Sequence, residues 1–389
     1  MILAGAFAAA TLAGLAQTLA GHSLLRRFLR RPTAQSHERA DMPVSVLKPI
    51  GGDEPLLEAA LESLFLQDHP DFQIVLGVQN PADPALAVID RLRQRHKTRD
   101  VALVIDATRH GANGKISNLI NMLPAARHPI LVIADADVHA PRGWLADVAA
   151  TLATPGTGLV TALYTGLPAT RGLVGRLGAA AITHGFLPGA LLARALGRQD
   201  CFGSTMALRR ATLEAAGGLA ALADHLADDN LLGVLVKRQG LNIALAHSIV
   251  ATTVAETRIG ALFRHELRWA RTIRRLEPWG HAASVLQFPL VWAALATIAD
   301  ARLAGLLVLA WAMRALLAGA AERRLAASSP SPPHPSPPTA WLPIWAWPLR
   351  DLLSVVVWGT SFLSDTVSWR GTLLRAAPVP HESMGHQPR

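Results

Sequence analysis

Apolar residues fall along this chain in runs of distinct length, and each length predicts a different element. Residues 2–20 are apolar apart from Thr11, Gln17 and Thr18, and no charge appears until after Leu25. A run of that length crosses a bilayer as a helix. Shorter runs bounded by turn-forming residues read as strands buried on both faces. They lie at Val44–Pro49, Phe72–Val78, Val101–Ile105, Leu131–Ala134 and Leu159–Leu163. Between them, Leu56–Leu66 and Ala85–Arg95 carry helical spacing, with Glu54, Glu58 and Glu62 on the wet side of the first. The alternation of strand and helix predicts an α/β fold with a doubly wound, mostly parallel sheet. Residues 201–210 read as a further strand leading into a short helix that ends at Gly217-Gly218.

Long apolar stretches return later. Ser284–Ala299 contains Pro289, Leu303–Ala320 is broken by Arg314, and Ala340–Leu363 is interrupted by Pro348, Arg350 and Asp351. Two or three membrane-embedded helices are expected here, and the apolar, small-rich segment 172–196 suits a helix on the membrane surface. The chain thus divides into an anchor (1–25), a basic linker (26–42), a catalytic part (43–280), membrane-embedded or interfacial helices (281–371) with a proline-rich extended connector (328–338), and a tail (372–389).

Composition agrees: 51% of residues are hydrophobic and 17% charged, with a mean hydropathy of +0.28. The net charge of +9 comes almost wholly from arginine, since Lys48, Lys97, Lys115 and Lys237 are the only lysines. A basic, apolar chain favours membrane surfaces or phosphate-bearing ligands. Aromatics at 5% and the absence of a recognition module argue against nucleic acid. Cys201 is the single cysteine, which excludes an internal disulfide and fits a cytosolic catalytic part. Arg26, Arg27, Arg30 and Arg31 follow the first apolar run and none precedes it, so the run reads as an uncleaved anchor with its C-terminal side in the cytoplasm.

Candidate chemistry centres on Asp135 and Asp137, at the carboxyl end of an apolar strand, where open α/β sheets place ligands. Carboxylates at this spacing converge on a hard cation such as Mg2+ or Mn2+ that also holds diphosphate; a plain strand-to-turn junction is the alternative. The loop Gly111-Ala112-Asn113-Gly114-Lys115 opens a helix and can bring backbone amides and an ammonium to an anion, or is a flexible turn. Asp224, Asp228 and Asp229 precede another helix, as ordinary caps or with one as a general base. Arg264, Arg268, Arg271 and Arg275 share one helical face beside Trp269, suiting phosphate oxygens, lipid head groups or simply water. His184, alone on an apolar segment, reads first as a packing residue.

Together these segments resemble the ceramide glucosyltransferase-like family of membrane-bound, inverting glycosyltransferases, over roughly Pro43 to Gly371. The resemblance rests on Leu47-Lys48-Pro49, on Val78 to Pro84 with its aspartate at Asp83, on Gly111 to Lys115, on Asp135, on the acidic pair ending at Asp229, and on Arg268-Trp269. His265 stands where the family's closing motif has Gln or Arg. Residues 118–122, 201–210, 226–229 and 265–274 are most similar to the bacterial hopanoid-associated branch. The resemblance implies a GT-A fold and a UDP-sugar donor, with UDP-N-acetylglucosamine foremost. It implies a lipid acceptor, a bacteriohopanetetrol-type hopanoid or else ceramide, at the bacterial inner membrane. It assigns Asp229 as base; Lys48, Asp83, Lys115, Asp135, Arg268 and Arg271 to the donor; His184, Cys201, His265 and Trp269 to the acceptor; and Asp135 with Asp137 to a divalent cation. A processive polysaccharide synthase and a non-catalytic nucleotide- or lipid-binding membrane protein are the rival readings.

Overall fold

The computed structural model describes residues 1–31, 42–328 and 341–364 and the backbone of two strands at 366–369 and 372–375. Most of the basic linker, the proline-rich connector beyond Ser328 and the tail beyond Arg375 lie outside the described residues. The first half of the chain gives α1 (Ile2–Leu29), β1 (Val44–Ile50), α2 (Leu57–Phe65), β2 (Phe72–Val78), α3 (Ala85–Arg95), β3 (Val101–Ile105), α4 (Gly114–Met122), β4 (Ile130–Ala134), β5 (Val138–His139), α5 (Trp144–Leu152), β6 (Thr157–Thr161), β7 (Tyr164–Pro168), α6 (Leu173–Ala181) and α7 (Leu187–Ala195). The second gives β8 (Thr205–Arg209), α8 (Arg210–Ala215), α9 (Asp228–Arg238), β9 (Asn242–Leu245), β10 (Val250–Val254), α10 (Ile259–Leu276), α11 (Pro278–Ala283), α12 (Pro289–Ala299), α13 (Ala304–Ser328), α14 (Trp347–Ser361), β11 (Thr366–Trp369) and β12 (Thr372–Arg375).

Seven strands form the main sheet in the order β3-β2-β1-β4-β8-β6-β9. Every residue of β1 and β2 is buried, which is why they read as unbroken apolar runs. The pairings are parallel except at β8, which runs antiparallel to both β4 and β6. The chain reaches β8 after the long α6–α7 excursion rather than through one crossover helix, so the parallel βαβ geometry does not set its direction. A second sheet, β5-β10-β7, braces the segment that follows Asp137. One expectation fails: Glu62 is buried, because α2 packs on α3, where Arg95 and His96 pair with that carboxylate at 2.9 and 3.3 Å.

Among the described residues two helices are long and apolar enough to cross a membrane, Ile2–Leu29 and Ala301–Ser328; a third span would need Pro278–Gln287 and Pro289–Ala299, bent by 63°, to act as one. At 15 residues α14 extends about 22 Å, short of a bilayer core. β11 and β12, which the sequence divides between membrane helices and tail, form an antiparallel strand pair. Tight packing holds α1 in place: a side chain at Gly21 would meet Pro188 Cβ at 2.7 Å. Each charge interrupting the late apolar segments has a partner. Arg350 grips Glu266 of α10 through two contacts of 2.7 and 2.6 Å and donates to Leu177 O at 3.0 Å. Arg314 meets Asp351 at 3.1 Å, and His184 meets Glu322 at 3.0 Å.

Candidate active site

β4 delivers Asp135 and Asp137 at its carboxyl end, beside the carboxyl end of β1. The turn after Asp135 is held from both sides. Lys48 Nζ, from wholly buried β1, donates to Val138 O at 2.8 Å. From β10, the Thr252 hydroxyl donates to the Asp137 carboxylate and Thr253 N–H donates to Asp137 O at 3.1 Å. Lys48 therefore buttresses the aspartate turn from within and has no exposed surface.

The loop before α4 is stitched to the segment before α9. Asp224 Oδ1 accepts from Ala112 N–H at 2.8 Å, Asn113 Nδ2 donates to His225 O at 2.8 Å, and Asn113 N–H donates to Ala223 O at 2.7 Å. Gly111 permits this approach, since a Cβ there would meet Ala223 O at 2.6 Å. The Asn113 side chain caps α4 by accepting from Lys115 N–H and Ile116 N–H. Lys115 is thereby aimed across the gap: its Nζ lies 2.7 Å from Asp135 Oδ1 and 3.2 Å from Asp228 Oδ2. Asp229 is oriented by Gly203 N–H, which donates to its Oδ2 at 2.9 Å, and by Asn230 N–H at 2.7 Å to its Oδ1. Asp228, which the sequence allowed to be a mere cap, belongs to this cluster.

The electrostatics follow from crowding. Burial pulls Lys115 down, but Asp135, Asp228 and Asp229 together hold it well above the ordinary lysine range. Burial and then the Asp228 charge push Asp229 up to about 6, against the pull of Lys115. Burial and the Asp135 charge also raise Asp137. Lys48 is lowered to about 8 by burial, with Asp137 and Asp135 opposing. Asp135 and Asp137 are thus a like-charge pair to which a divalent cation is suited. Among the described residues no three His, Cys, Asp or Glu side chains converge as a metal-binding group, so such a cation would complete its shell with ligand and water oxygens.

The other expected residues stand apart from this contact network. Asp83, after β2 on the same sheet edge, accepts from Gly52 N–H at 2.8 Å and Ala85 N–H at 2.9 Å, so both its oxygens hold backbone. Arg268 is half-buried and its side chain makes no hydrogen bond or ion pair among the described residues; burial lowers it and the Glu256 charge opposes. Arg271 shares its face, half-buried. His265 pairs with Glu256 and lies edge-on to Trp269 at 4.6 Å. Cys201 is buried in the apolar cluster under β4 and α9, and burial pushes its thiol well up, which excludes a ready thiolate. His184 sits in a π-turn, Ile182–Phe186, edge-on to Trp347 at 5.2 Å and paired with Glu322 among the apolar helices. Sequence reasoning offered Asp228 only as a cap or one of three possible bases and did not single out Thr252.

The model of glycosyl transferase family 21 matches residues 6–380. Ceramide glucosyltransferase 1 of Caenorhabditis elegans is 23% identical over 233 residues, covering 59% of this chain and 49% of that protein. Ceramide glucosyltransferase of Komagataella phaffii is 30% identical over 127 residues, covering 31% of this chain and 25% of that protein. The chain thus spans about half the length of the first relative and about a quarter of the second. A mannosyltransferase from Pyrobaculum calidifontis, solved with GDP-Man and Mn2+, superposes with a TM-score of 0.54 at 21% identity over 93% of this chain and 99% of that one, and so shares the fold.

Proposed function

The chain belongs to glycosyl transferase family 21, and from that membership we propose that it moves a sugar from a UDP-sugar, UDP-N-acetylglucosamine foremost, to a hydroxyl of a bacteriohopanetetrol-type membrane lipid with inversion. The observation that carries this reading is the Lys115 bridge, which gathers Asp135 and Asp228, and with them Asp229, from three distant segments. An acid poised at about 6 suits a general base at neutral pH. Asp229 takes the proton of the acceptor hydroxyl as that oxygen bonds to C1 from the face opposite the diphosphate. The bond from C1 to the diphosphate oxygen breaks, and its electron pair leaves with UDP. Lys115, with Arg268 and Arg271 from α10, supplies positive charge to the leaving group. Asp135 and Asp137 would hold a divalent cation, Mg2+ or Mn2+, which when bound neutralises diphosphate charge. Lys48 keeps the aspartate turn in place, and Asp83 fixes the loop at the nucleoside end. His184, Cys201, His265 and Trp269 bound the acceptor side. α1 and α13 anchor the enzyme in a bacterial inner membrane with the acid cluster in the cytoplasm, an orientation supported by Arg26, Arg27, Arg30 and Arg31.

The two ceramide glucosyltransferase relatives favour a second reading, transfer of glucose from UDP-glucose to ceramide. Purified protein offered each donor with each lipid decides between them by mass and by the anomeric configuration of the product. Asp229→Asn should lower transfer about a hundredfold or more while UDP-sugar still binds; wild-type turnover in that variant would refute the base.

A further inference from the structure

Tyr164 opens β7, and its ring stacks on Phe186 of the π-turn with centroids 4.3 Å apart. Phe186 in turn meets Phe202 edge-on at 5.2 Å. Phe202 directly precedes Gly203, whose amide orients Asp229, and Thr161 Oγ1 clamps both Phe202 N–H and Phe202 O at 2.9 Å. All three rings are half-buried rather than sealed. Their other surroundings point away from the diphosphate end. Tyr164 and Phe186 pack with Trp269 on Ala179, Ile182 and Val254. Phe186 and Phe202 also pack on the cluster containing Leu25 and Phe28 of the N-terminal apolar helix and Ala321 of α13. An aromatic lane therefore runs from the base to the helices that meet the bilayer.

The phenol at the head of that lane lacks a partner. Tyr164 is half-buried and its hydroxyl makes no hydrogen bond among the described residues, which leaves it open to a ligand. Burial acts on it first, and of the surrounding carboxylates Asp229 acts more strongly than Asp135 or Asp137. Together they keep the phenol protonated, so it is available as a donor.

We propose that Tyr164, Phe186 and Phe202 form the acceptor subsite: the Tyr164 hydroxyl donates to a second oxygen next to the hydroxyl that Asp229 deprotonates, and the phenylalanine rings hold the adjoining hydrocarbon. The inference rests on the transferase reading above and narrows it to amphiphiles with two neighbouring polar atoms at the reacting end. No proton leaves Tyr164 in this step.

The test uses full-length protein in detergent with bacteriohopanetetrol or ceramide, whichever the wild type glycosylates, and the same lipid lacking the oxygen beside the reacting hydroxyl. Tyr164→Phe keeps the stack and should reduce kcat/KM for the complete lipid by roughly three- to tenfold, the reach of one hydrogen bond. The preference for complete over deoxy lipid should shrink by the same factor, with the KM for UDP-sugar within twofold of wild type. Phe186→Leu should raise the KM of both lipids alike. An unchanged preference in Tyr164→Phe, or an equal rise in the UDP-sugar KM, overturns the subsite. A wild-type protein that glycosylates neither lipid sinks the proposed function itself, and the subsite with it.

Discussion

Replacing Asp229 by Asn should make the protein inactive and more stable at once. The carboxyl is held at about 6 against an ordinary 3.8, a gap that corresponds to about 3 kcal/mol at about 1.4 kcal/mol per tenfold change. Because the folded value lies above the ordinary one, ionisation opposes folding above about pH 6 and has no influence below about pH 4, where folded and unfolded chains both hold the proton. Asparagine keeps the shape and removes the charge. It can accept from only one of the two amides that Asp229 serves, Gly203 N–H and Asn230 N–H, which returns about 1 kcal/mol. Solvent reaching the half-buried side chain trims the rest, leaving a net gain of about 1–2 kcal/mol. Thermal unfolding of both proteins in the same detergent, followed at pH 7.5 and again near pH 4, is the assay. The variant should melt a few degrees higher at the upper pH, and the gap should close at the lower one. A variant that melts lower at both pH values would refute the claim that this carboxylate is held charged against its surroundings.

Three further outcomes follow from the same geometry. In wild type, kcat/KM should rise with pH through an acid limb near 6, and Asp228→Asn should move that limb to lower pH, because the Asp228 charge is the strongest influence raising Asp229 after burial. Arg350→Met strands the half-buried Glu266 and should cost about 2–4 kcal/mol in thermal unfolding, most of it recovered by adding Glu266→Met. Gly21→Val drives a side chain into Pro188 and should cost roughly 1–3 kcal/mol in the same assay, with the UDP-sugar KM unmoved.

The bounds of β2, β3 and α3 coincide with those read from the sequence, because the two strand runs stop at Gln79-Asn80-Pro81 and Asp106 and the helical spacing of α3 stops at His96. The small sheet was not legible: β5 is two residues long and carries no period. Asp135, Lys115 and Asp229 were singled out by motif, yet a motif does not say what an acid touches. Asp228 looks like a cap in any sequence, and only the stitching of the 111–115 loop onto 223–225 turns it toward Lys115. Lys48 shows the opposite limit, since a lysine beside a proline gave no hint of complete burial. Glu62 was misplaced because amphipathic spacing cannot foresee a second helix covering the flank.

The grip of Arg350 on Glu266 reaches across 84 residues of chain. During translation the arginine helix emerges first, with Glu266 still seeking its counter-ion. Seating that helix early would bury a lone carboxylate, a cost that rises steeply away from water. The counter-ion of α10 is therefore in place only once α14 has been made. A polypeptide cut short before α14 carries every aspartate of the site and still lacks the counter-ion for the helix that bears Arg268 and Trp269.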